Sequence, residues 1–189
     1  MSAKQAAALV AGKLRKLVVD IRRCVSTLPT VAERATVRDV AISCVALHTM
    51  TRRFEPLVSV ASQVMQTSGG EGFILNFIFG QTSRKPSPAA VVRTNADCRK
   101  ICAVAAMIEY RQAALYTQWA LAEGSGFLFP SVLESGAKEN LALTPAQMAS
   151  NLQTHLRPAG MEDKRYTLHS FRVGGGGEPP WTVRPWTFS

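Results

Sequence analysis

Near the end of the sequence, Lys164-Arg165-Tyr166-Thr167-Leu168-His169-Ser170-Phe171-Arg172 sets a histidine and an arginine three residues apart. On a helix that spacing puts both side chains on one face, where an imidazole and a guanidinium can grip one phosphate. The guanidinium stays protonated at any working pH and offers a planar fork of donors that matches phosphate oxygens. The same spacing also occurs on ordinary surface helices, so the pair gains meaning only from the elements around it.

Charge points to the same kind of ligand. The 189 residues carry 22 Lys and Arg against 13 Asp and Glu, a net charge of +9, which suits a polyanionic partner such as nucleic acid. Residues 1–23 are the most basic part, with Lys4, Lys13, Arg15, Lys16, Arg22 and Arg23 against Asp20 alone. Hydrophobic residues make up 47% of the chain, enough for one buried core, and no apolar run approaches the roughly 20 residues that span a bilayer. Cys24, Cys44, Cys98 and Cys102 fall within apolar helical patterns without a matched Cys-x-x-Cys pair. They read as reduced core thiols of an intracellular protein, so neither a metal nor a cofactor is expected.

The elements that must position the pair follow from periodicity. Val10, Leu14, Leu17, Val18, Ile21, Val25 and Leu28 recur at three and four, which predicts an amphipathic helix over 4–27, within a basic N-terminal arm of residues 1–30. Its polar face fits three uses: a solvated face, a DNA-backbone contact, or a mitochondrial transit peptide, since no acid precedes Asp20. A second helix is expected over 31–50, with Val37, Val40, Ala41, Cys44, Val45 and Leu47 inward. Extended chain at 63–66, a turn at Ser68-Gly69-Gly70, and strands over 72–79 and 89–93 flanking a polar loop predict a small antiparallel hairpin. A long helix capped by Asn95 or Asp97 should run to about residue 121, with Ile101, Val104, Ala105, Ile108 and Leu115 on its core face. Phe127-Leu128-Phe129 should anchor a crossing that ends at Pro130. Thr144-Pro145 should open the helix that precedes the His-x-x-Arg segment, with Thr144 as cap and an end before Pro158. Beyond Val173, four glycines and a Pro/Trp-rich run predict a disordered tail over 175–189. The fold class is therefore mainly α with a small antiparallel sheet.

In that order, over residues 31–174, these features resemble the catalytic domain of the tyrosine recombinases, the phage integrase family. The His169–Arg172 box, Phe129-Pro130, the hairpin and the element Leu47-His48-Thr49-Met50-Thr51-Arg52-Arg53-Phe54-Glu55 carry the resemblance. It implies site-specific DNA strand cleavage and rejoining by a mobile-element enzyme, with Arg52 and Arg172 on the nonbridging oxygens of the scissile phosphate and His169 hydrogen-bonding it or moving the nucleophile's proton. Glu55 would buttress the site. It further implies duplex DNA as the partner, a homo-oligomer assembled on DNA, and a nuclear location in a eukaryote. Arg84 and Lys85 at the hairpin tip and Lys164 and Arg165 before the box are the candidate DNA contacts.

Two departures shape the expected activity. The family's leaving-group lysine stands early in the hairpin loop, where Phe79-Gly80-Gln81-Thr82-Ser83-Arg84-Lys85 places Gln81, leaving Lys85 as the substitute. The family's tyrosine nucleophile follows the box, whereas here 17 residues follow Arg172 and none is a tyrosine. The expectation is a truncated catalytic domain that binds DNA weakly through its backbone without cleaving it. A noncatalytic helical DNA-binding or protein-interaction module is the alternative reading.

Overall fold

The computed structural model describes residues 11–23, 30–49, 64–76, 89–96, 99–115, 126–132, 138–161, 166 and 170. The tail over 175–189 and the hairpin tip lie outside them. The described elements, in order, are α1 (Ala11–Arg23), α2 (Val31–Thr49), β1 (Val64–Gln66), β2 (Gly72–Leu75), β3 (Ala90–Arg93), a 3-10 turn (Arg99–Ile101), α3 (Ala103–Leu115), β4 (Pro130–Val132), β5 (Lys138–Ala142) and α4 (Pro145–Leu156).

Helix α1 buries Leu14, Leu17, Val18 and Ile21, the stripe its periodicity requires, and these join the same core as α2, α3 and α4. Helix α2 starts in a capping box: the Glu33 amide donates to Thr30 Oγ1 at 3.4 Å, and the Thr30 amide donates to Glu33 Oε2 at 2.5 Å. It buries Val40, Ala41, Ile42, Cys44, Val45 and Leu47, and α1, α3, α4 and β3 pack around it. Cys44 and Cys102 are buried in the core, as their apolar settings suggest.

The three strands form an antiparallel meander in the order β1-β2-β3. Phe73 and Leu75 alternate inward with Val92 opposite Phe73, while Met65 on β1 lies on the exposed face. Gly70 sits at φ +69° in the β1–β2 turn, which is closed by the Gly70 amide donating to the Thr67 carbonyl at 2.8 Å. Gly72 is required for a different reason: a Cβ there would collide with the Val92 carbonyl oxygen across the β2–β3 ladder. Strand β2 ends at Leu75, and of the expected extension to residue 79 only Asn76, which is not in the strand, is described.

The third helix departs from expectation. The Asn95 amide donates to Cys102 Sγ at 3.3 Å, so Asn95 folds back on the 3-10 turn and does not cap α3, which begins eight residues later at Ala103. Asp97 lies outside the described residues. Ile101 and Val104 are buried as expected, while the rest of the core stripe is Ala103, Ala106, Met107, Tyr110 and Ala113. Ile108, expected inward, is 51% exposed.

The ribbon β4–β5 was not legible as strand. Its Lys-Glu-Asn-Leu-Ala strand has poor β-formers and an exposed Leu141, while Pro130 heads the other strand, where proline is tolerated. Leu128 and Phe129 are buried just before it, as the anchor predicts. Helix α4 opens as its sequence requires: the Gln147 amide donates to Thr144 Oγ1 at 3.2 Å, the Thr144 amide to Gln147 Oε1 at 2.8 Å, and Pro145 occupies the first turn. No helix among the described residues is long and apolar enough to cross a membrane.

Two glycine substitutions separate these local requirements. Gly72→Ala should lower stability by about 1–3 kcal/mol through the clash with the Val92 carbonyl. Gly12→Ala, on α1 with open space beside it, should be neutral or stabilising by up to about 1 kcal/mol. Urea unfolding midpoints of the two variants check both.

Candidate functional site

The expected phosphate ligands Arg52, His169 and Arg172, the hairpin residues Gln81, Arg84 and Lys85, the buttressing Glu55, and Lys164 and Arg165 all lie outside the described residues. What is described is the frame on either side of them. Helix α2 ends at Thr49, three residues before Arg52, and α4 ends at Leu156, thirteen before His169. Within the segment that carries the box, Tyr166 is 2% exposed and Ser170, a helical residue between His169 and Arg172, is fully buried.

Tyr166 is held from two sides. Gln153 Nε2 on α4 donates to its carbonyl at 2.8 Å, and Lys13 Nζ on α1 lies 5.7 Å from its ring centroid. Lys16 Nζ donates to the Ala159 carbonyl at 3.0 Å. At the other end of α1, Arg22 donates to Glu109 Oε2 at 2.7 Å and to the Lys100 carbonyl at 2.8 Å. Three of the helix's cations thus dock α1 onto the body, while Arg15 and Arg23 stay exposed.

The strongest polar feature was not foreseen. Arg38 and Asp39, both 2% exposed, sit side by side on α2 in the middle of the core. Arg38 Nε and Nη2 donate to Asp39 Oδ1 at 3.0 and 2.8 Å, and Arg38 Nη1 donates to the Pro130 carbonyl at the head of β4 at 2.8 Å. The other carboxylate oxygen receives Asn151 Nδ2 at 2.9 Å and faces His155 Nε2 at 3.2 Å, both from α4. The acceptor at that position implies the tautomer that carries hydrogen on Nε2. One carboxylate therefore ties α2, β4 and α4 together. A signal existed in the sequence: a charged pair inside a helix whose neighbours Val37, Val40, Ala41 and Ile42 leave it little polar face.

His48, in the last turn of α2, is also buried. Its Nδ1 lies 2.8 Å from the Cys44 carbonyl, to which it donates, and burial holds its pKa below the ordinary 6.5 despite that hydrogen bond. Tyr110 is 1% exposed, donates its hydroxyl to the Leu128 carbonyl at 2.9 Å, and has its ring centroid 5.5 Å from that of Phe129. Burial raises its phenol pKa well above the usual range, reinforced by Asp39 and opposed by Arg38, so it is held neutral.

The architecture is that of the tyrosine recombinase catalytic domain. Similar solved structures include the XerH site-specific recombinase bound to its difH substrate before cleavage, with a TM-score of 0.63, 13% identity, and 91% of this chain matched to 42% of that one. XerH on a palindromic difH substrate after cleavage gives a TM-score of 0.61 at 14% identity, covering 91% of this chain and 41% of that one. The XerA recombinase gives 0.56 at 15% identity over 93% of this chain and 50% of that one. The chain thus spans half or less of the length of these structures. No protein-family model matches the sequence, and no curated protein does.

The two buried networks give opposite expectations. Asp39→Ala leaves the Arg38 guanidinium buried without its carboxylate and should cost about 3–5 kcal/mol of stability, measured by chemical unfolding. For His48 the sign follows from its lowered pKa: the unfolded imidazole takes up a proton from about 6.5 downward while the folded one resists. Its contribution is full above that pH and is lost as pH falls toward the lower folded value. The urea midpoint should drop between pH 7.5 and 5.5, and His48→Leu should flatten that drop.

Proposed function

We propose that this chain is a duplex DNA-binding domain of the tyrosine recombinase type, in which Arg52, His169 and Arg172 hold one backbone phosphate. The observation that carries the reading is the fold, which matches DNA-bound recombinases over 91% of this chain. In that architecture α2 leads to Arg52 and α4 leads to the box, so the two cationic groups arrive from opposite ends of the sequence.

The chemistry suits the residue types. In strand transfer, the nonbridging oxygens of the phosphate gain negative charge as the fifth bond forms, and two guanidinium forks stabilise that charge without changing protonation. His169 donates a hydrogen bond to the same phosphate or moves a proton. Lys85, four residues beyond Gln81 on the β2–β3 connection, is the group available to protonate a departing 5′ oxygen. Attack itself needs an accessible phenol. Tyr110 and Tyr166 are buried, Tyr110 with its hydroxyl engaged by a backbone carbonyl, so neither is a nucleophile. The reading is therefore phosphate binding without cleavage by these residues.

Binding to a duplex of unrelated sequence should weaken steeply with salt, because only phosphate neutralisation releases counterions. Arg172→Ala and Arg52→Ala should each flatten the log affinity against log salt plot by about 0.9, the loss of one phosphate contact. Affinity indifferent to salt, or to both substitutions, would reject the proposal. On a nicked suicide duplex, no phosphotyrosine link should form at Tyr110, Tyr116 or Tyr166; recovering one by peptide mapping would show that cleavage does occur.

A further inference from the structure

We infer that the exposed cations Arg15 and Arg23 of α1 and Arg99 and Lys100 of the 3-10 turn form a second contact surface for the phosphate backbone of duplex DNA. Duplex DNA is also the partner in the proposed function, but none of the residues that hold the phosphate there takes part here. Every side chain of this surface belongs to the described body. These are the cations that docking leaves over. Lys13, Lys16 and Arg22 are turned inward, toward the Tyr166 ring, the Ala159 carbonyl, and Glu109 with the Lys100 carbonyl. Arg15 and Arg23 face solvent, Arg23 with 76% of its side chain exposed. Its pairing with Asp20, at 3.5 Å on the same helix, is of the exposed kind that contributes little.

The fold adds two more cations to that edge. Arg22 donates to the Lys100 carbonyl at 2.8 Å and α1 packs against the turn, so two dibasic pairs from segments 78 residues apart meet at one junction. Arg99 and Lys100 are both exposed. Arg15 stands two turns before Arg22 and thus on the same side of α1, about 10 Å along its axis. Local stability does not account for this gathering. Arg22 and Arg23 in the last turn of α1 are favoured by the helix dipole, but Arg99 and Lys100 stand just before the first turn of α3, the end at which the dipole favours anions. The only acids on α1 and α3, Asp20 and Glu109, are occupied by Arg23 and Arg22. Like charges collected in this way repel one another unless an anion is placed among them.

The chemistry of the surface selects the partner. A stable protein–protein interface has an apolar or aromatic centre inside its polar rim. The large exposed apolar side chains among the described residues are Met65, Ile108 and Leu141, and none lies on α1 or the turn. A nucleic-acid backbone asks for less, only cations spaced along a line. Each strand of a duplex carries one charge per about 3.4 Å of axis, so the row of about 10 Å from Arg15 to the junction spans about three phosphates. Three of the four residues are arginines, whose forked donors match phosphate oxygens. Contacts of this kind carry no base information, so the surface binds without regard to sequence.

The test reads the slope of log affinity against log salt for a duplex of unrelated sequence. Arg99→Gln with Lys100→Gln removes the charges of the turn, and Arg15→Gln with Arg23→Gln removes those of α1. All four residues are exposed, so urea midpoints should stay at the wild-type value. Arg111→Gln is the control for net charge: Arg111 is exposed and lies two residues from Glu109, hence about 200° around α3 from the side that meets Arg22. We expect each double variant to lose about 0.9 to 1.8 of slope, one or two phosphate contacts, and the control to keep the wild-type slope. Full wild-type slope in either double variant overturns the inference. So does a loss of about 0.9 in Arg111→Gln, which would make the effect one of net charge. If the double variants lose binding to polyglutamate but keep the full slope on the duplex, the surface serves an acidic protein and the inference is again overturned. Should one double variant fail to fold, the other decides by the same criteria. Arg52→Ala and Arg172→Ala keep the two readings apart. If they lower the slope and the double variants do not, this inference falls alone; if the double variants lower it and they do not, the proposed grip falls and this surface stands.

Discussion

A single buried carboxylate, that of Asp39, is the constraint on which the described structure turns. It accepts from three side chains on α2 and α4, and through Arg38 it reaches a third segment of chain at Pro130. Hydrophobic burial makes the fold compact, but the residues lining α2 and α3 are mostly small, and small residues let helices approach without dictating how they align. A carboxylate with its four contacts specified has one arrangement. Because desolvating a charge costs several kcal/mol, any competing arrangement that broke one of those contacts would carry that cost in full. Discrimination between packings, more than stability, is what the hub contributes.

The basic first helix takes on a different character once docked. A basic run at the start of a sequence invites comparison with a detachable arm, yet Leu14, Leu17, Val18 and Ile21 place α1 in the common core. Its cations bracket two segments: Lys13 and Lys16 hold Tyr166 and the turn after α4, and Arg22 holds the 3-10 turn before α3. Removing this helix would remove core as well as charge. Lys16 and Arg22 are turned toward backbone carbonyls and Glu109 of the protein's own body, so their donors are not directed at an outside polyanion.

What the sequence disclosed was whatever is decided locally. Thr144-Pro145 announced α4 because a cap hydroxyl and a proline act within one turn, and the β2–β3 hairpin and the α2 stripe were visible as period and composition. The candidate phosphate ligands Arg52, His169 and Arg172 were read from spacing and order alone, and they lie outside the described residues. The failures share a cause. Ile108 was assigned inward because a helix was carried unbroken through Cys102, and the 3-10 turn before α3 depends on Asn95 folding back onto Cys102. The β4–β5 ribbon has almost no strand character of its own. Arg38 and Asp39 were not singled out, because nothing near them in sequence names partners 92 to 116 residues away.

The capping boxes at Thr30 and Thr144 bear on how such a distant closure is reached during folding. Each satisfies the first amides of its helix with groups no more than three residues apart, so the first turns of α2 and α4 can close before any tertiary contact exists. Joining them at Asp39 then closes a loop of more than a hundred residues, a step whose entropic cost grows only with the logarithm of its length. A helix whose first turn is fixed by its own cap has fewer wrong starts to reject when it meets its partner than an uncapped segment would. The locally written starts of these helices thus leave to the long-range ionic contact the one thing that no local signal specifies, the alignment of one helix against the other.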